Sequence, residues 1–361
     1  MRFLLRLAGL GLGLALVASG HGSVHAEECL PPHAAILIYH HVADETPAST
    51  SVTPETFDAH LDFLAEGGFH VADLETVVQA LRTGADLPDS TVVLTFDDGY
   101  ESVYETAFPR LRERGWPFTV FVCPDIIDRG VGPVMTWDQL REMAAAGALV
   151  ANHGWNHDFM NRPQAQESTE QHQQRLEKEW LQAQDRLEEE LGAAPEILAY
   201  TYGEYSPAVQ AVVEKLGWTA LGQQSGAVGP RSDFTCLPRF PMATDFASLD
   251  TFGQKVSSLP WPAGLTQRTD PMLPVDQPEA PVLTLVADMA CLRAGSVAAY
   301  ASQQGAIPVQ WLDEDAGFLQ IQAPNPLPRG RSRYNVTAPS PLPGRWYWFS
   351  QVWIVGQEHS S

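Results

Sequence analysis

From Ala34 to about Phe240, short apolar runs alternate with longer amphipathic stretches. Ala35-Ile36-Leu37-Ile38-Tyr39 reads as a buried strand, because it is apolar without alternation and too short for a core helix. Thr53-Pro54-Glu55 opens a helix, with a threonine cap and proline at the first helical position. That helix carries Phe57, Leu61 and Leu64 at helical spacing and stops at Gly67-Gly68. Further buried strands are expected at Thr91–Phe96, Phe118–Cys123, Leu149–Asn152, Ile197–Tyr202 and Trp218–Leu221. Helices are expected at Ser102–Arg114, Trp137–Ala146, Gln166–Leu191 and Ser206–Leu216. Strand–helix alternation of this kind predicts an α/β fold with a mostly parallel sheet, open or closed into a barrel.

The pattern changes after Phe240. Six prolines between Pro260 and Pro281 mark a linker or an irregular edge. Short strands separated by Gly/Pro turns follow at Val282–Ala287, Val309–Leu312, Phe318–Ala323, Ser332–Thr337 and Trp346–Val355. This spacing predicts a small all-β sandwich. The expected division is a leader over 1–26, an α/β domain over 27–270 and the sandwich over 275–361. In the last strand Trp346 and Trp348 share one face, and Tyr347, Phe349 and Trp353 share the other. One aromatic face must fill the sandwich core; the other is a candidate sugar platform.

The leader reads as a cleavable signal peptide. Arg2 and Arg6 precede the apolar run Leu7–Val17, and Val24-His25-Ala26 places small residues at −3 and −1 of a cleavage site. The run is too short to span a bilayer comfortably and no later segment is longer, so the reading is an exported, periplasmic or secreted protein without a transmembrane segment. The 361 residues hold 22 Lys+Arg against 44 Asp+Glu, a formal charge of −22, which speaks against a nucleic-acid partner. Cys29, Cys123, Cys236 and Cys291 match no zinc knuckle; in an oxidising compartment they form one or two bridges, for example Cys236–Cys291 between the domains, or remain buried thiols.

Two segments carry candidate chemistry. Thr95-Phe96-Asp97-Asp98-Gly99-Tyr100 ends an apolar strand in adjacent carboxylates, which resist joint ionisation unless a cation or hydrogen bonds stabilise them. An exposed D-D-G turn would look the same. Asn152-His153-Gly154-Trp155-Asn156-His157 follows a second such strand with histidines four apart. One Asp and two His would hold a cation and leave positions open, as catalytic rather than structural metal sites do.

Together, T-F-D-D-G and, about fifty residues later, N-H-x-x-x-H resemble the first two motifs of the NodB-homology polysaccharide deacetylases, carbohydrate esterase family 4. The resemblance covers about 34–240. Ile36-Leu37-Ile38-Tyr39-His40-His41-Val42, Ser51-Val52-Thr53-Pro54-Glu55-Thr56-Phe57 and Ala199-Tyr200-Thr201-Tyr202-Gly203-Glu204-Tyr205 look like segments of the branch containing the poly-β-1,6-N-acetylglucosamine deacetylases of biofilm systems. It implies a distorted (β/α) barrel, one divalent ion (Zn, Ni, Co or Fe) on Asp98, His153 and His157, and Asp97 as general base. It further implies the Tyr202 backbone N–H as oxyanion donor. The usual late leucine-histidine motif reads Leu237-Pro238-Arg239-Phe240 here; the resemblance to the biofilm branch, whose acid comes from the early strand, implies His40 as the acid, with His41 on the opposite strand face.

Three departures stand out. Gly154 replaces a Ser or Thr that braces the histidine loop, and Thr201 replaces a proline before Tyr202. Ala199 stands where many members carry an arginine that orients the base, a charge that Arg239 is expected to supply. Met135-Thr136-Trp137-Asp138 resembles a family segment that would set Trp137 beside the groove, as a sugar-stacking residue or as a core tryptophan. The implied activity is removal of N-acetyl groups from an N-acetylglucosamine polysaccharide with release of acetate, with exopolysaccharide export machinery as a further partner. An O-acetyl polysaccharide esterase of the acetylxylan type and an inactive carbohydrate-binding protein are the rival readings.

Overall fold

A computed structural model describes residues 29–265 and 268–356; the leader over 1–26 lies outside the described residues. The α/β part contains strands β1 (Ala34–Tyr39), β2 (Thr91–Phe96), β3 (Thr119–Val122), β4 (Leu149–Asn152), β5 (Ile197–Ala199), β6 (Thr219–Leu221) and β7 (Phe240–Pro241). Every residue of β1 and β2 is buried, which explains why their runs are apolar without alternation. The parallel order is β7-β1-β2-β3-β4-β5-β6. Leu37 pairs with Phe240 and Leu221 bridges to Leu237, so residues 237–241 join both edges and the sheet curls into the expected distorted barrel.

Helices cover the outer face: α1 (Pro54–Glu66), α2 (Leu74–Thr83), α3 (Phe108–Arg114), α4 (Pro124–Arg129), α5 (Trp137–Ala145), α6 (Thr169–Leu191), α7 (Pro207–Leu216) and α8 (Leu249–Val256). Their starts follow local chemistry. Thr53, Thr136, Ser168 and Ser206 each accept a backbone N–H in the first turn, and Thr136 and Ser168 complete capping boxes with Gln139 and Gln171. The helix expected from Ser102 instead begins with a π turn over Val103–Ala107, just ahead of Pro109, which has no N–H for a helical bond.

The register sets the site. Tyr39 lies beside Phe96, Val122 beside Asn152, and Asn152 beside Leu198. His40, Asp97, His153 and the turn after Ala199 therefore emerge together at the C-terminal edge of the sheet, where α/β barrels place their chemistry.

Beyond the barrel lie β8 (Leu259–Pro260), β9 (Met272–Leu273), β10 (Val282–Val286), β11 (Ala298–Ala301), β12 (Gly305–Ile307), β13 (Val309–Asp313), β14 (Phe318–Gln322), β15 (Gly330–Pro339) and β16 (Trp346–Val355). They form a six-stranded sheet ordered β8-β16-β15-β11-β12, with β9 also on β16, and a three-stranded sheet ordered β10-β14-β13. Leu283, Leu285, Leu319 and Ile321 of the smaller sheet meet Tyr334, Val336, Tyr347 and Trp353 of the larger one in a single core, as a sandwich requires. The other face of β16 is not a sugar platform. Trp348 packs edge-on to Phe240 at 5.4 Å between ring centres, and Val352 and Ile354 join the apolar cluster of Tyr200 and Val209. That face is the seam between sandwich and barrel.

The cysteines form one bridge, within the range expected, but not the Cys236–Cys291 pair. Cys29 is bonded to Cys291, while Cys123 and Cys236 are buried thiols. Cys291 is already bonded to Cys29, and the Cys236 sulfur instead accepts from Gln224 at 3.2 Å. Among the described residues no helix is long and apolar enough to cross a membrane.

Candidate active site

Asp98, His153 and His157 converge from two strand ends. The Nε2 atoms of His153 and His157 lie 3.1 and 2.9 Å from Asp98 Oδ1, and the three ligand atoms all fall within 4.8 Å of one another. His153 Nδ1 donates to the Ala199 carbonyl at 2.8 Å, which orients the ring with Nε2 toward Asp98. This donor set fits a divalent ion of the Zn, Ni, Co or Fe kind, and the second nitrogen of His153 is already satisfied. Burial alone would raise the Asp98 carboxyl, but hydrogen bonds from the two histidines outweigh it and hold it well below the usual carboxylate range.

Asp97 lies next to that cluster, close enough to feel the charge of His153 and His40. It is fully buried, and so is Arg239, whose guanidinium reaches it at 2.6 Å (Oδ1) and 2.8 Å (Oδ2). Arg239 Nε donates to the Gly222 carbonyl at 2.8 Å, so the fork is itself fixed. Burial pushes the Asp97 carboxyl up, yet Arg239 and then His153 more than reverse this, and Asp97 remains ionised at neutral pH. Arg239 thus supplies the charge beside Asp97 from a fully buried position.

His40 follows β1 beside both carboxylates. Burial lowers its pKa, partly opposed by Asp98 and Asp97. His41 stacks on the Tyr100 ring at 3.6 Å. Tyr100, to which the sequence reading gave no role, adjoins Asp98; burial, then Asp98, raises its phenol.

The turn after β5 presents Tyr202. Its ring meets His157 edge-on at 4.6 Å and stacks on Phe159 at 4.1 Å. Thr201, in the usual proline position, donates its hydroxyl to the Asp158 carbonyl at 2.5 Å and so ties this turn to the histidine loop. Gly154 adopts φ +81° and donates to Asn152 Oδ1 at 2.8 Å. Bracing of the histidine loop has therefore moved to Asn152, whose amide also donates to the Trp180 carbonyl. Asp98, His157 and Tyr202 hold φ of +71°, +64° and +59°, a region non-glycine residues avoid and active sites enrich.

Trp137 does not join the site. Its indole donates to Asp128 at 2.7 Å and lies under the Arg186 guanidinium, between α4 and α6 on the helical flank. The sugar-stacking expectation for Trp137 is not met, because the ring is taken up by Asp128 and Arg186.

Residues 84–221 match the polysaccharide deacetylase family. Over 272 residues the chain is 25% identical to a poly-β-1,6-N-acetyl-D-glucosamine N-deacetylase of Escherichia coli K12, covering 65% of this chain and 40% of that protein. The chain thus spans well under half the length of that curated relative. Among solved structures, the Streptococcus pyogenes deacetylase PplD in complex with acetate superposes with a TM-score of 0.54 at 24% identity, over 60% of this chain and 94% of that one. IcaB from Ammonifex degensii gives 0.52 at 24% identity, over 63% and 97%. These two likenesses carry the fold, and the family match carries the motifs. Residues 84–221, which carry both motifs, are thus similar to a polysaccharide deacetylase domain.

Proposed function

We propose that this protein is an exported, metal-dependent N-deacetylase acting on an N-acetylglucosamine polysaccharide, with the catalytic unit at 27–270 and the sandwich at 275–361. The observation that carries the reading is the meeting of Asp98, His153 and His157 beside an Asp97 held ionised by Arg239. A divalent ion on those three residues would polarise the acetamide carbonyl and make water a better nucleophile. Asp97 takes the proton from the attacking water, its lone pairs aimed by the arginine fork. The Tyr202 backbone N–H faces the charge that develops on the acetamide oxygen. His40 hands its proton to the leaving nitrogen, and burial makes that proton easier to release. The products are acetate and a polymer bearing free amines. The name of the Escherichia coli relative favours β-1,6-linked N-acetylglucosamine as substrate, and a biofilm exopolysaccharide with its export machinery as the setting.

The test is acetate release from β-1,6-N-acetylglucosamine oligomers, chitin oligomers, peptidoglycan and acetylxylan, before and after chelation and re-addition of divalent ions. Chelator-sensitive, metal-restored release from N-acetylglucosamine oligomers is expected. Release from acetylxylan alone would make the protein an O-acetyl esterase. Binding without release would make it a carbohydrate-binding protein.

A further inference from the structure

We propose that Arg331, contributed by the sandwich, is a positioning residue of the active site, holding the Tyr202 turn through Glu204; this rests on the deacetylase reading above. Glu204 is buried two residues beyond Tyr202, and both its oxygens are occupied. Arg162 of the barrel donates to Oε2 at 3.0 Å, while Arg331 of β15 donates to Oε1 through Nε at 3.1 Å and Nη2 at 3.0 Å. A carboxylate this deep is stable only while its partners stay in place, so each arginine restrains the backbone on which Glu204 sits.

The restraint reaches the reacting end of the barrel by two contacts. Arg162 stacks on Phe159 at 3.4 Å, and Phe159 stacks on Tyr202. Arg331 also lies 5.8 Å from the Tyr202 ring centre, on a residue whose positive φ needs its surroundings to maintain it. Arg331 is in turn held by sheet register rather than by a loop. Its partner across the ladder is Ile354, which packs in the cluster of Tyr200. The sandwich thus reaches the turn that carries Tyr202 through Arg331.

The experiment compares the full, metal-loaded chain with Arg331→Ala, Arg331→Lys, Glu204→Gln and, as a control on the same segment, the exposed Arg329→Ala. Two readouts are taken: kcat and KM on N-acetylglucosamine oligomers, and hydrogen exchange of the peptide spanning 200–206. Removing an oxyanion donor outright lowers kcat roughly 10²–10³-fold, so a loosened turn should lower it by about tenfold or more with KM within about twofold. Exchange in 200–206 should rise in Arg331→Ala and Glu204→Gln but not in the β2 and β4 peptides. Arg331→Lys, which keeps one charged bond and answers the question even where alanine fails to fold, should recover part of both. Arg329→Ala should match wild type. Unchanged exchange in 200–206, or a loss confined to KM, would overturn the proposal. An inactive wild type whose exchange still responds would overturn the deacetylase reading and leave the Arg331 contact standing.

Discussion

Arg239 grips both oxygens of Asp97 inside the barrel, across 142 residues of sequence, and neither side chain touches solvent. The pair resolves a difficulty in the motif, in which two adjacent carboxylates must remain charged together. Asp98 is answered by imidazoles on the open side and Asp97 by a guanidinium on the closed side.

Replacing Arg239 with glutamine strands a buried carboxylate. Loss of one partner of a buried pair typically costs about 3–5 kcal/mol, and a drop of that order is expected in denaturant unfolding. Acetate release should fall with it, while metal content stays near wild type because Asp98, His153 and His157 are untouched. Wild-type stability in Arg239→Gln would show that the fork is dispensable.

The two early histidines should separate cleanly. His40→Ala should lower kcat by about 10²–10⁴-fold, the usual range for general acid catalysis, with metal content preserved. His41→Ala removes a ring stacked on Tyr100 and should have a much smaller effect. The reverse order in a side-by-side assay would transfer the acid role to His41.

His60 gives the fold a pH limit. It is buried under β1, accepts from the Tyr39 hydroxyl at 3.0 Å, donates to the Ala247 carbonyl at 2.7 Å and stacks on Phe252. Burial pushes its pKa down to about 4, below the unfolded value, so between pH 6.5 and 4 the unfolded chain takes up the proton first. The stabilisation is complete above pH 6.5 and is lost as pH falls through 4, about 3 kcal/mol in all. Urea unfolding at pH 7 and 4.5 should show a smaller pH penalty in His60→Gln, whose amide can keep both hydrogen bonds. Equal penalties in the two proteins would dismiss His60 as the source.

A chain ending at Pro274 should aggregate or be lost on expression. It would uncover Phe240, Tyr200 and Val209 where Trp348, Val352 and Ile354 now lie, at about 1.5–3 kcal/mol for each large apolar side chain. It would also leave Cys29 without Cys291. A soluble truncated protein with wild-type turnover on oligomers would show that the barrel stands alone.

What could be read in advance divides by the range of the interaction. The buried strands and the motifs at their ends were legible because each is a local run, and the meeting of Asp98 with His153 and His157 follows from two such runs at one edge. Strands β11 and β12 were missed, since Ala298–Ala301 and Gly305–Ile307 offer small residues and little alternation. Helix α2 was missed as well, although Asp73 caps it and Leu74, Val77, Val78 and Leu81 line its buried side. The pairing of Cys29 with Cys291, the burial of Trp348 against Phe240 and the flank position of Trp137 each depend on a distant partner. Arg239 was expected to supply a charge to the base, but its complete burial was not visible in Leu237-Pro238-Arg239-Phe240.

The left-handed backbone at Asp98, His157 and Tyr202 sets function against thermostability. Glycine at any of the three would relieve the local strain and remove a side chain the site uses, so a search that rewards melting temperature alone would drift toward a sturdier, silent barrel. Screens for hardier versions of this protein should hold these three positions fixed and seek their gains in the loops and the surface of the sandwich.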